Sequence, residues 1–566
     1  MSDDYNPLPF DDEELRTTPV DFSKAVPASA EQSDSDVEVA SEELTSGSSR
    51  VIRVRSGNAT APPKRQPRPV VERAPRQPLT LRSRRGVALV ALGSLVVLAG
   101  VGTLANRGSS QSPAVPTVEP VASSELVCPI TTATNDLTSA ITAAVAPLST
   151  VSTGAGRLTN LVKAGKDSDP LVIKTPGSLV ARINRGKSGP AQMAAAIGSF
   201  ATGFGADQSI RSGAGSSRGL SIAPCSRSVT DAWLVGGEST VGHITTVMLV
   251  NNDDRPAQVD LEIYGTDGQI DSPGAAGIAV AAASTARLQL AELAPSQTVT
   301  AVHVIATTGR VGATALEFDS RGLVPQGVSI MSATTAGRSL VIPMIPSSVD
   351  SARLVLLAPT SDATAHVTLM TTQGSIIPVG LDSVDLTAGH VASLDLMPVL
   401  DGGAGGLVIK ADRDVVAGVI VTTGKKAKFR EVDRTAATPA LMSPGLIVGL
   451  AGPKLTHEMG IAAPLNQATV KVELFVSGNT TATWTRTVKV GKGSIVDLKI
   501  PVSTPKSTSI VVVTPVSGGP VYVTRVETER GPNGPMIGLA PVLSTRATTL
   551  VPPVEVAPGS AVLAKD

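Results

Sequence analysis

The run GVALVALGSLVVLAGVGTLAN, residues 86 to 106, holds 21 consecutive residues without a charge. At the helical rise of 1.5 Å per residue it would span roughly 32 Å, enough for the ~30 Å hydrocarbon core of a bilayer. It is apolar on every face and follows the basic cluster RSRR, unlike an amphipathic helix packed into a globular core. One transmembrane helix is therefore expected here. A cleaved signal peptide is disfavoured, because about 85 residues precede the run instead of a handful.

The flanks orient it. Residues 1 to 49 carry thirteen Asp or Glu against only Arg16 and Lys24, whereas residues 50 to 85 carry eleven Lys or Arg against Glu72 alone. A net charge of zero conceals this polarity. Both stretches are too charged and Pro-rich to bury a core, so a disordered acidic tail (1–49) and a basic juxtamembrane segment (50–85) are expected. By the positive-inside rule the N-terminus is cytoplasmic, and everything beyond the span lies outside the membrane. The basic segment either lies on anionic headgroups or only sets orientation. In the tail, DDEELRTTPVDF offers Thr17 and Thr18 as candidate phosphoacceptors, in a stretch that resembles substrates of actinobacterial membrane Ser/Thr kinases. An unmodified acidic tail is the competing reading.

After a linker (107–125), the exported part contains both cysteines, Cys128 and Cys225. An oxidising compartment lets them pair, and neither lies in a CxxC motif or near a His, so one disulfide is expected in preference to reactive or metal-binding thiols.

From residue 229 the chain alternates Val/Ile/Leu/Thr-rich runs of five to eight residues with Gly, Pro, Asn and Asp clusters, the pattern of an all-β protein. VMLVNNDDRPAQVDLEIYGTDGQI aligns with VLLAPTSDATAHVTLMTTQGSI and with GIAAPLNQATVKVELFVSGN, anchored on Val259, Val367 and Val472. The spacing, about 105 residues, predicts three tandem immunoglobulin-like sandwich repeats at 229–343, 344–449 and 450–566. Residues 126–228 read as a divergent β region, with SLVARIN and QMAAAIGSFATGF as strand candidates; the Ala run at 194–196 leaves a short helix open. Within the first repeat, Val259, Leu261 and Ile263 are expected to face a core, and Asp260, Glu262 and Tyr264 to form a solvated face.

Little in this sequence looks reactive. Aromatic residues make up 2% of the chain, which disfavours stacking recognition of nucleic acid or sugars. NNDDRP lacks the alternating spacing of a calcium loop, its acids do not recur in the later repeats, and the TDG at 266–268 reads as a hairpin turn. GSSRG (215–219) formally matches a serine-nucleophile elbow around Ser217, but a strand-like run follows instead of a helix. His243, His303, His366, His390 and His457 are spaced at distances that build no metal-ligand pair. No Gly-rich phosphate loop opens a helix. No cofactor, metal, nucleic acid or small-molecule substrate is expected.

The stretch 217–270 resembles the actinobacterial family known as domain of unknown function 5719, in which a Cys shortly precedes a W-x-V-G-G motif and a strand ends near Y-G-x-x-G. Here these are Cys225, then Trp233, Gly236 and Gly237, then Tyr264, Gly265 and Gly268. The resemblance implies a single-pass envelope protein associated with a membrane glycosyltransferase and surface polysaccharide assembly, and it supplies no active residues. A Trp beside Gly-Gly at a strand start reads as a core anchor with a tight backbone turn. The expectation is a non-enzymatic extracellular scaffold or binding protein, its partners the bilayer and an envelope protein or glycosyltransferase. A transmembrane signalling or anti-sigma-like protein, sensing outside and reporting through residues 1–85, is the alternative.

Overall fold

The computed structural model describes residues 117–148, 153–425, 429–450, 454–502, 508–545 and 548–551, all within one compact unit. The expected span at 86–106, both charged segments, and Thr17 and Thr18 lie outside the described residues. Among those described, no helix is long and apolar enough to cross a membrane. The described residues are mainly β, and the α-helices among them are the four-residue turns Leu290–Leu293 and Met397–Leu400.

One strand arrangement recurs four times. Eight strand positions, numbered by order within a unit, form an antiparallel sheet of order 1-6-3-4 and a second of order 5-2-7-8, position 4 being split into two short strands in the second and third units. The units run from Ser123 to Pro224, Asp231 to Ser332, Gly337 to Ala436 and Gly445 to Pro541. In the third unit strands 6 and 7 are one continuous 19-residue strand, Gly405–Thr423, passing from one sheet to the other.

The region read as divergent thus carries the same order as the three repeats. Its Ala run lies in Gln192–Gly198, hydrogen-bonded to a strand on each side. Those ladders satisfy the backbone without a helix, and small side chains suit a strand buried on both faces. The strands Gly337–Ile345 and Gly445–Leu450 open the third and fourth units, so both units begin earlier than the sequence boundaries. An apolar run beside a loop can end one unit or open the next, and periodicity alone does not choose. The strands Ala257–Gly265, Ala363–Thr371 and Ala468–Val476 correspond, which matches Val367 and Val472 to Leu261, two residues beyond Val259. A slip of two keeps every side chain on its own face, so alternation could not detect it.

Each unit encloses its own core, with Ile141, Val259, Leu354 and Val472 fully buried in the four. The outward face of each 1-6-3-4 sheet then packs on the 5-2-7-8 sheet of the next unit. Trp233, Val235 and Tyr264 of the second unit meet Val355, Val416 and Ile420 of the third. Val341 and Met370 of the third meet Ala462 and Ile495 of the fourth. Leu446 and Phe475 of the fourth meet Ala144 of the first, and Val127 of the first meets Val250 of the second. The array closes as a ring.

Its axis is built from the eighth strands, Gly219–Pro224, Val324–Ser332, Glu431–Ala436 and Gly534–Pro541, each contacting the next around the circle. Gly219 sits at this axis, where a Cβ would lie 2.6 Å from the Val328 nitrogen. Gly219→Ala is therefore expected to push two axial strands apart and cost roughly 1–3 kcal/mol, measured as a lowered denaturation midpoint. An unchanged midpoint would show that the axis yields freely.

Cys128 and Cys225 form a disulfide within the first unit. It lies beside the bridge Val127–Ser226, where strand 1 meets the segment leaving strand 8. The same junction is a bridge at Trp233–Thr334 and Gly445–Ser544, and a hydrogen bond from Thr438 N to Val341 O in the third unit. The covalent link thus reinforces a contact that every unit makes.

Candidate functional site

Four of the family-motif residues, Trp233, Gly236, Tyr264 and Gly268, meet at the junction of the second and third units. Trp233, 2% exposed, stacks on His303 with ring centroids 4.0 Å apart and lies 5.7 Å from Tyr264. Burial pushes the Tyr264 phenol up, and its hydroxyl donates to Glu262 at 3.0 Å. The face expected to be solvated is thus an inter-unit contact at its Tyr264 end, because ring closure covers what a single sandwich would leave open. Gly236 adopts φ +101°, and its carbonyl accepts from Arg434 Nε at 2.8 Å. A Cβ on Gly237 would meet Thr300 Oγ1 at 3.1 Å, and one on Gly265 would press on Gln297 Oε1. Gly268 closes the two-residue hairpin at φ +116°, facing His390 of the third unit. Gly237 and Gly265 thus allow close packing within the second unit, while Trp233, Gly236, Tyr264 and Gly268 seat it on the third.

Directly behind it lies a buried charge cluster that sequence reasoning missed. Arg434, from the axial strand of the third unit, reaches Glu317 Oε1 at 2.6 Å and Asp319 Oδ2 at 2.8 Å, both on Gly312–Arg321 of the second. Glu238, just after strand 1, approaches Arg434 at 3.3 Å and Arg353 at 3.2 Å. His243 Nδ1 bonds Asp319 Oδ1 at 2.7 Å, while its Nε2 faces Glu238 at 3.4 Å. Three acids of the second unit thus face His243 and two arginines of the third. Hydrogen bonds to Asp319 and Glu317 raise His243 to about 10. Burial would raise Asp319, but Arg434 and His243 hold it at about 2. Burial prevails at Glu317 and brings it to about 7.

Glu238, His243 and Glu317 offer ligand atoms within 4.8 Å of one another, a spacing compatible with a metal ion. The Arg434 guanidinium on Glu317 and the protonated imidazole already supply the positive charge there, so the donor set suits an ion-pair joint better than a divalent cation. Because His243 is raised from 6.5 to about 10, its stabilising contribution is fully present below about pH 6.5 and is lost as pH rises through about 10. His243→Gln is expected to flatten that alkaline decline in unfolding free energy measured from pH 6 to 10. An unaltered slope would show that the imidazole is not the responsible group.

A second joint links the fourth unit to the first. Arg525 reaches Asp207 at 2.9 Å and also binds Glu527, which His457 meets at 3.0 Å. Arg211 grips Glu529 with two bonds of 2.7 and 2.6 Å. At the axis, Arg218 pairs with Glu431 at 3.2 Å and donates to the carbonyls of Gly534 and Pro535. The axial strands do not pair as a sheet, and side chains meet part of their backbone demand. Glu431 accepts from Leu220 N at 2.7 Å, Ser221 from Ile330 N at 2.9 Å and Asp433 from Leu539 N at 2.6 Å. Burial brings Asp433 to about 8.

The other candidates have structural partners. Asn251 holds the NNDDRP turn through the carbonyls of Arg255 and Val280, and Asp253 pairs with Arg310 at 2.9 Å. Ser217 precedes the strand Gly219–Pro224, which excludes a strand-to-helix elbow. Of the five histidines, tertiary packing brings acids to His243, His303 and His457.

Fold and site define a closed array of paired β-sheets whose buried charges join one unit to the next. Among known sequences, the family model described as a family of unknown function (DUF5719) matches residues 180–501. The chain belongs to that family. No curated protein matches it.

Proposed function

We propose that this protein is a non-enzymatic, membrane-anchored scaffold or binding protein that works outside the cell membrane in envelope or surface polysaccharide assembly. The observation that carries this reading is the use made of the buried acids. Glu238, Glu317, Asp319, Asp207, Glu431 and Glu527 are each held by an Arg, most of them from a neighbouring unit. General acid–base or nucleophilic chemistry needs such groups poised at a cleft; here they hold the array together. We read each two-sheet unit as an immunoglobulin-like sandwich, the apolar run 86–106 as its single membrane span, and residues 1–85 as the cytoplasmic tail.

Crosslinking in intact cells, followed by identification of partners, is expected to recover an envelope protein, with a membrane glycosyltransferase the leading candidate. Deletion of residues 1–49 is expected to leave the envelope phenotype intact. If that deletion alone reproduces loss of the whole protein, the scaffold reading fails in favour of transmembrane signalling.

A further inference from the structure

Strand direction sorts the loops onto two faces. In every unit strand 8 runs towards one face and strand 1 departs from it, so the segments following all four axial strands gather there. They surround a cavity of about 550 Å³ on the ring axis. Its floor is formed by the axial strand ends at Pro224, Ala436 and Pro541, and its rim includes the exposed Thr335 and Ala336. Tyr522 forms part of the wall, and burial raises its phenol above the ordinary value. The lining is otherwise dominated by small apolar and hydroxyl side chains. Its acid, Asp231, is bonded to His303 at 2.9 Å, and Arg227 is likewise engaged. This is a half-open, mainly apolar recess, which also carries the exposed Asp231 carboxylate, of a size that holds a small-molecule ligand.

The chain enters from this same face. Thr117–Pro120 pairs with Thr548–Val551, which follows the last of the gathered segments, and Ser123 begins strand 1 of the first unit at that side. Residues 107–116, at full extension, reach at most roughly 36 Å from the expected membrane span. The face also exposes Met442 (86%), Val516 (58%) and Leu465 (46%). A mainly apolar recess tethered so closely to a bilayer, on a face that carries exposed hydrophobic side chains, matches hydrocarbon more closely than an ionic or sugar ligand.

We propose that this axial cavity is a binding site for the hydrocarbon tail of a membrane lipid. The inference rests on the membrane anchoring proposed above. To test it, the full chain with Tyr522→Trp is reconstituted into phosphatidylglycerol vesicles whose acyl chains carry bromine, and emission is compared with that in unbrominated vesicles after subtracting the parent protein. The expected result is quenching of the added tryptophan, relieved by Ala336→Phe at the rim and absent for Leu323→Trp on the opposite face. Native mass spectrometry of the otherwise unsubstituted chain is expected to show one retained lipid, lost on Ala336→Phe. A protein that floats with the vesicles but shows neither quenching nor a retained lipid overturns the cavity assignment while leaving anchoring intact. A protein that does not float with the vesicles overturns the anchoring, and this inference with it.

Discussion

Replacing Arg434 with alanine is expected to lower folding stability by about 3–5 kcal/mol, because it leaves buried carboxylates without their counter-charge. The side chain is 1% exposed and holds Glu317, Asp319, Glu238 and the Gly236 carbonyl together. Most of the loss comes from abandoned acids and not from the pair's intrinsic worth. Arg434→Ala combined with Glu317→Gln and Asp319→Asn should therefore recover part of it. Arg434→Lys should fall between, since an ammonium cannot reproduce the fork that spans two carboxylates and a carbonyl. The readout is denaturant unfolding of the full chain in detergent. The second and third units are also expected to uncouple, giving two transitions in place of one. A loss below about 1 kcal/mol, the range of an exposed pair, would sink the claim that this joint holds the ring.

The second large effect concerns the first unit. Cys128 and Cys225 are 97 residues apart in sequence, and in the chain-entropy model a cross-link over such a loop stabilises by roughly 4–5 kcal/mol. Cys128→Ala with Cys225→Ala is expected to lower the unfolding midpoint of the first unit by a corresponding amount. Both sulfurs lie in the core of that unit, so alanine also leaves a small void. Comparing the double variant with the reduced parent protein separates the two terms, since the reduced thiols retain the packing. Indistinguishable midpoints for oxidised and reduced protein would sink the assignment. The other units hold the same junction by hydrogen bonds, without a covalent link, so the effect should be confined to the first.

The charge cluster shows where sequence reasoning stopped. Glu317 and Asp319 lie on one strand and Arg434 on another, and 115 residues separate Asp319 from Arg434. Glu317 and Asp319 share the side of their strand with Ala313 and Ala315, which face the core of their own unit. Arg434 reaches them there from the third unit, so the opposite charge comes from a distant part of the chain. The interface aromatic left a more accessible trace: Ile263–Tyr264, Leu369–Met370 and Leu474–Phe475 each break alternation with two adjacent buried residues near the end of the same strand. Two large apolar neighbours at one strand end, repeated from unit to unit, mark a strand covered on both faces and hence a contact between units.

Period-two alternation, turn residues and self-similarity were sufficient to identify an all-β chain with recurring units, because strand propensity and the inward face of each sandwich are local properties. The two cysteines and the compartment inferred from the apolar run likewise led to the disulfide. Recognition of the first unit as a fourth copy, burial of Tyr264 between units and the joining of acids to arginines came only with tertiary closure. Local pattern says which residues leave the surface of their own unit. It carries no record of what meets the outward face, since that depends on units roughly a hundred residues away in sequence arriving at one axis.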